Sequence, residues 1–442
     1  MRYLYGVLWA LLSLLGYGWL AYGTARTDSA QLLLLWAGLF ALYALLFFIP
    51  KHKVPLAWLL GAAIAGRLVW LVAVPALSDD IYRFIWDGQL LAHGHNPYQY
   101  LPTDLLKVPW ARAVGLDEVL YARLNSPHYY SVYPPLLQGW FAVATTLGGA
   151  STLAAAGWLR LPIGLAEVGT LLLLPKVLVH YGLEKNAAQR RAWLLYGLNP
   201  FLIVELVGNL HYEGVTIFFM MLCLSFYQKQ KRVLSALALA LAVGFKLLPL
   251  IFLPLLLHQL PGPRRFRYLT VVGVGVLLPF AFFFNPDQVL HFSSSLDLYF
   301  RRFEFNAGLY YLLRAVGTWL LGYNPIGLLG PLLSLLSLGG ILFLSYARKV
   351  PFTLPERLLL ILTVYLFCAT TVHPWYVAPL LALGTFTHYR YPLLWSVLLP
   401  LTYLAYAQVP FQEPRWVLVL EYGLVWACLA WELRRCLSTR HS

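Results

Sequence analysis

The chain is 442 residues long, 60% hydrophobic and only 11% charged, with a mean hydropathy of +0.68 and a formal net charge of +14. Soluble domains carry about 25% charged residues, so lipid is the solvent here, and disorder, a collagen-like chain and a disulfide scaffold are excluded. Nucleic acid is excluded as a partner as well, because the basic residues do not gather in one patch.

Apolar runs at 3–23, 30–49, 56–76, 158–180, 192–208, 213–228, 233–245, 247–259, 268–284, 326–346, 358–372, 375–387, 392–408 and 416–433 predict an all-α polytopic membrane protein. They make about 13–14 transmembrane helices in a single integral membrane domain over 1–442. The first run exceeds a 7–15-residue signal-peptide core and reads as an uncleaved helix. The basic residues fall between the runs: Lys51 and Lys53; Lys185, Arg190 and Arg191; Lys229, Lys231 and Arg232; Arg264, Arg265 and Arg267; Arg348, Lys349 and Arg357; Arg434, Arg435 and Arg440. Under the positive-inside rule these are cytoplasmic, and both termini are then inside. Crossing of 134–150 would put the Lys185 cluster outside, so that stretch is expected to be a re-entrant or interfacial helix. The stretch 233–259 lies between two basic clusters and is too short for two full spans. Gly244-Phe245-Lys246 is expected to break it into half-length helices, with Lys246 near the outer face.

Most of the 18 carboxylates then fall outside. Four lie in spans (Glu167, Glu205, Glu421 and Glu432) and two inside (Glu184 and Glu356). Arg67 is mid-span and needs a partner, for which Glu167 is the candidate and Glu205 a second. Cys223, Cys368 and Cys428 sit in spans and Cys436 in the inner tail, so no disulfide is expected.

Residues 77–133 form one long hydrophilic outer loop, with juxtamembrane helices. Ser78 is a good N-cap for a helix from Asp79 to about His93, with two acids in its first turn. Asp80, Arg83 and Asp87 share a face, and Asp79 and Arg83 are i, i+4 neighbours. Gly94 ends the helix and Asn96-Pro97-Tyr98 makes a turn. Two readings stand for the aspartates. One carboxylate is held ionised by Arg83 while the other takes a proton, or both only cap a helix.

The stretch Ser78-Asp79-Asp80-Ile81-Tyr82-Arg83-Phe84-Ile85-Trp86-Asp87-Gly88, then Gly94-His95-Asn96-Pro97-Tyr98, then Tyr133-Pro134-Pro135-Leu136 resembles the GT-C glycosyltransferases, in particular their mannosyltransferase branch. Arg160-Leu161-Pro162, Asn209-Leu210-His211-Tyr212-Glu213-Gly214, Phe245-Lys246-Leu247-Leu248-Pro249 and His373-Pro374-Trp375-Tyr376 are similar to segments of bacterial members, so the likeness covers most of 55–390. The resemblance implies transfer of a hexose, mannose above all, from a polyprenyl-phosphate donor to a lipid or glycan acceptor. Transfer inverts the anomeric carbon at the extracytoplasmic face of the cell inner (plasma) membrane. Counting back from Tyr82 aligns Asp79 with the first aspartate of the eukaryotic Asp-x-Asp pattern. The adjacent Asp80 departs from that pattern, and both are carried as candidate bases.

Such a reaction needs a base for the acceptor hydroxyl and cations for the departing phosphate. Lys246 is one candidate for donor phosphate; otherwise it snorkels or pairs with Glu213. Arg301 and Arg302 lie outside against the charge trend and fit phosphate, unless they are a surface pair met by Asp297 and Glu304. His373 fits phosphate too, with Trp375 and Tyr376 for sugar or polyprenyl, the alternative being an interfacial aromatic belt. Tyr82, Arg83, Asp87, Tyr98, Tyr133, His211 and Glu213 are expected to line the substrate cleft, and Arg160 either snorkels or approaches the donor. His211 with Glu213, and His93 with His95, have no third ligand nearby, so no metal and no cofactor is expected. A transporter or glycolipid flippase is the alternative from another class. It would place ionisable groups mid-membrane on broken helices in repeated halves, and no repeat is visible.

Overall fold

The computed structural model describes residues 4–50, 54–283, 285–301, 303–408 and 411–441. Arg2, Lys51, Lys53 and Arg302 lie outside the described residues. The chain is 75% helical, with no strand among the described residues beyond an isolated bridge between Phe305 and Thr371. It is an all-α polytopic membrane protein. Helices Ser29–Phe48, Thr152–His180, Ile326–Tyr346 and Arg415–Ser438 are long and apolar enough to cross a membrane. Their outward faces are what lipid selects: Leu34 is 74% exposed and Phe48 83% exposed, which water would penalise.

The other apolar runs are built from shorter pieces. Residues 192–208, expected as one span, are interrupted at Asn199-Pro200. Pro200 has no N–H to donate and disfavours helical backbone before it; Asn199 is extended and its side chain caps Phe201 N–H instead. A π-turn lies on each side, Trp193–Gly197 and Ile203–Gly208. Residues 200–208 then meet Glu213–Gln228 at 111°. The 233–259 stretch breaks where Gly244-Phe245-Lys246 suggested: Arg232–Phe245 ends, Lys246 is extended, and a second piece runs from Leu248 to His258. Two helices were not anticipated, Pro286–Arg301 and Gly308–Leu321. The first is polar on one side and the second carries Arg314, so neither reads as an apolar run.

Buried arginines take up the carbonyls that these breaks release. Arg67 binds Glu167 at 2.7 Å, as its mid-span position demanded, and also donates to the carbonyls of Ala63 and Gly197. Tyr196 completes the Glu167 shell. Glu205 is elsewhere, held by Tyr403 and Asn209. Arg160 neither snorkels nor reaches a cleft. It is 1% exposed and donates to the carbonyls of Leu71, Ala73, Val207 and Gly208. Each unsatisfied carbonyl in a lipid-like interior costs several kcal/mol, so one guanidinium makes two helix ends tolerable.

The stretch expected to be re-entrant or interfacial forms Pro135–Gly148, 14 residues, or about 21 Å. It turns back at Gly149, whose φ of +56° suits glycine, and packs on both the Asp80–Ala92 and Thr152–His180 helices. Residues 77–133 carry the helix Asp80–Ala92 and three short helical turns. These close over a small core of Trp86, Leu90, Leu105, Ala111, Leu116 and Leu124.

Candidate active site

The Asp80–Ala92 helix begins with Asp79 in the N-cap position, yet the Asp79 side chain makes no capping bond. Ser78 Oγ accepts weakly from Asp80 N–H, at 3.4 Å. Both carboxylates are thus free to face other segments. Asp79 accepts from Arg26 at 2.6 Å, and the Arg26 guanidinium lies 4.2 Å from the Tyr406 ring centroid. Asp80 accepts from the Asn125 side-chain amide at 2.7 Å. Arg83, expected beside Asp79, is turned the other way.

Arg83 and Asp87 are buried and pair at 2.8 Å. Arg83 also donates to the carbonyls of Ser126 and Tyr129, both at 2.9 Å. Asp87 accepts from Ser131 and Gln138. The pair therefore ties the loop helix to residues 126–131 and to the Pro135–Gly148 helix. Close approach there needs Gly88, since a Cβ would sit 2.5 Å from the Phe141 carbonyl oxygen. Phe84 stacks on Phe141 at 4.4 Å and meets Tyr133 and Tyr212 edge-on. Tyr98, fully buried, donates to the Tyr133 carbonyl at 2.5 Å. Tyr82 is half-buried and accepts from Arg123 at 3.0 Å. Of the cleft candidates in this loop, Tyr82 and Tyr133 keep part of their surface open, while Arg83, Asp87 and Tyr98 are buried.

The second part of the site is the break at Asn209–Tyr212. Leu210 adopts φ +62°, a conformation that costs a branched side chain about 1–3 kcal/mol and persists only where the surroundings enforce it. It turns His211 and Glu213 out of the helix path. His211 Nδ1 lies 3.2 Å from Glu205, and its ring stacks on Trp375 at 3.7 Å. Trp375 also stacks on His373 at 4.6 Å, with Tyr376 edge-on to His373. Glu213 pairs with Lys246 at 3.1 Å, while the Lys246 side chain keeps 25% of its surface open.

These parts meet at His373. Its imidazole titrates below the ordinary histidine range, chiefly because it is buried; Asp80 opposes this, and His211 and Lys246 reinforce it. Asp80, Lys246 and His211, from three other stretches of chain, therefore each lie within electrostatic reach of His373. Tyr406, in the same neighbourhood, feels Arg26, both aspartates and Glu205.

Arg301 ends the Pro286–Arg301 helix; its side chain, like the whole of Arg302, lies outside the described residues. Glu304, expected to meet that pair, is engaged by Arg314, Tyr310 and Asn324. His93 bonds the Gln89 carbonyl and His95 stacks on Trp110. Among the described residues no three His, Cys, Asp or Glu side chains group so as to hold a metal.

Sequence reasoning passed over Arg26, Asn125 and Tyr403; it weighed Glu205 only as a partner for Arg67 and Asn209 only as part of a motif. The signal for Arg26 was present, a cation in an outer turn against the charge trend, as for Arg301. Tyr403 and Asn125 carried none, since their partners lie 198 and 45 residues away. The arrangement offers a carboxylate bonded by a neutral amide, an ammonium with a quarter of its side chain open, an imidazole and an aromatic wall. Residues 6–260, more than half of the chain, match the family model described as MptA_B family, alpha-(1->6)-mannopyranosyltransferase, N-terminal domain. No curated protein matches the chain.

Proposed function

Because the chain belongs to the alpha-(1->6)-mannopyranosyltransferase family, we propose that this membrane glycosyltransferase takes mannose from a polyprenyl-phosphate donor and passes it, with inversion, to a lipid or glycan acceptor. The reading is supported by the stacking of His211 and His373 on Trp375 and by Lys246, which pairs with Glu213 next to that stack, with the charges of Asp80 and Lys246 felt at His373. On this reading a proton acceptor and a cation for the phosphate serve one site beside the Trp375 and Tyr376 rings. Asp80 takes the acceptor hydroxyl proton, and the oxygen attacks the anomeric carbon. The bond from that carbon to the phosphate oxygen breaks, and the electron pair leaves on polyprenyl phosphate. Lys246 meets the growing charge, and Trp375 and Tyr376 offer faces to sugar or isoprenoid. Asp79, neutralised by Arg26, positions the start of the loop helix. Arg301 and Arg302 are further candidates for phosphate. No metal is needed, since a monophosphate leaving group is met by protein cations.

The site belongs on the extracytoplasmic side of the plasma membrane. The basic clusters argue for this, because the turn bearing Lys229, Lys231 and Arg232 is at the far end of the helix that starts at Glu213. The 77–133 loop then lies outside, with Pro135–Gly148 along the membrane surface, and the whole forms one integral membrane domain. A flippase finds less support, since the mid-membrane pair Arg67–Glu167 is saturated by its own hydrogen bonds.

The purified protein in detergent is expected to transfer labelled mannose from polyprenyl-phosphate mannose and not from a nucleotide-linked mannose. Transfer from the nucleotide sugar alone would overturn the donor assignment. His373 gives a pH signature. A histidine whose folded pKa is lowered stays neutral as pH falls through the ordinary value of about 6.5, and it charges only at more acid pH. We therefore expect kcat/KM, which reports the free enzyme, to change little for this group between pH 6 and 8. A fall in donor kcat/KM as pH rises through 6.5, abolished in H373Q, would mean that His373 binds phosphate as a cation.

A further inference from the structure

The end of the molecule opposite Lys246 holds a second polar feature that the transfer reaction does not use. The helices Glu213–Gln228 and Arg232–Phe245 form a hairpin. Glu213 and Lys246 lie at its open end, and its turn is about 24 Å away by helix length. Beside that turn is a cleft of about 610 Å³ with eight lining residues, among them Lys231, Arg232, Leu234, Arg264, Arg267 and Tyr268. Four of the eight are cations and none is acidic. The sequence contains no Asp or Glu between Glu213 and Asp287, so neither the hairpin nor the helix Gly262–Ala281 can supply a counter-charge. Among the described residues Lys231, Arg264 and Arg267 make no ion pair. Arg232 is held flat on the Tyr227 ring at 3.8 Å and fixed by the Tyr227 carbonyl and the Gln230 side chain. Among the described residues its buried Nε has no hydrogen-bond partner.

Next to the cleft the surface turns apolar. Leu234 and Leu237 on one helix and Phe266 and Leu269 on the other are exposed, Phe266 to 73%. A cationic bowl bordered by exposed aliphatic and aromatic side chains fits a headgroup with its acyl chains, whereas a soluble anion would use only the bowl. We propose that this cleft binds the headgroup of an anionic phospholipid, with the phosphodiester among Lys231, Arg232, Arg264 and Arg267 and the acyl chains along Leu234, Leu237 and Phe266. The site does not depend on the donor assigned above, and losing it leaves that chemistry standing.

The test is lipid binding to the full-length protein in detergent, followed by native mass spectrometry with dioleoyl phosphatidylglycerol and dioleoyl phosphatidylcholine. The wild type is expected to prefer phosphatidylglycerol. A basic residue near an anionic surface contributes roughly fivefold in affinity, so R264Q/R267Q should weaken phosphatidylglycerol binding about 25-fold and leave phosphatidylcholine binding unchanged. R348Q/K349Q, which removes two exposed cations outside the cleft, should change either lipid less than twofold. Should R264Q/R267Q fold poorly, K231Q serves in its place, with about a fivefold loss expected. Equal affinity of the wild type for the two lipids would overturn the proposal, and so would equal losses in the two double variants. Tighter binding of polyprenyl phosphate than of phosphatidylglycerol at the cleft would overturn the choice of ligand.

Discussion

Replacing Asp80 by asparagine is expected to abolish mannosyl transfer, lowering kcat by about 10²–10⁴-fold, the usual contribution of a positioned general base. The two neighbouring carboxylates are not equivalent. Asp79 is in contact with the Arg26 guanidinium at 2.6 Å, which engages one of its oxygens. Among the described residues Asp80 has only the neutral Asn125 amide as a side-chain partner, and it is the carboxylate whose charge is felt at His373. Asparagine has the same shape and keeps an oxygen for Asn125, so D80N should fold with unchanged Tm. D79N should be milder, since its amide oxygen can still accept from Arg26, and its loss should be shared by R26Q. Labelled-mannose transfer by the single variants at saturating donor decides the matter. An inactive D79N beside an active D80N would exchange the two roles.

Lys246 is the second large effect. Its pairing with Glu213 makes a structural role real, and the open quarter of its side chain leaves room for phosphate. K246M is expected to lower kcat/KM about 10–100-fold, as loss of a charge-assisted hydrogen bond of 1.5–3 kcal/mol implies. It also strands Glu213, which is 3% exposed, and an unpaired buried charge costs about 3–5 kcal/mol. The double variant K246M/E213Q removes that penalty. Its Tm should return toward that of the wild type while its kcat/KM stays low. Recovery of both would mean that Lys246 serves only Glu213.

The reach of the sequence can be judged from such residues. The break at Lys246 was legible because Gly244 and a mid-run lysine are both unfavourable inside a lipid-facing helix. The Arg67–Glu167 pair was legible because a lone arginine mid-span has few affordable partners. Asp79 and Asp80 were legible as a pair at a helix start. Their separate environments were not, because Arg26 is 53 residues away and Asn125 looks like any loop residue. The π-turns around Pro200 were also invisible, since an apolar run with one proline reads as a kinked span. What decides there is Arg160, whose four carbonyl contacts come from distant segments. Arg83 and Asp87 shared a face with Asp80 by spacing, yet packing turned them inward to hold the loop.

The account rests on Asp80 and Lys246 addressing opposite ends of one donor bond, and a structure with bound polyprenyl-phosphate mannose tests it most directly. It should show the phosphate within hydrogen-bond reach of Lys246. The Asp80 carboxylate should lie on the face of the sugar away from the phosphate, near enough to reach an incoming hydroxyl, about 2.6–3.2 Å. A donor seated with its anomeric carbon toward Asp79, or with its phosphate away from Lys246, would contradict the account.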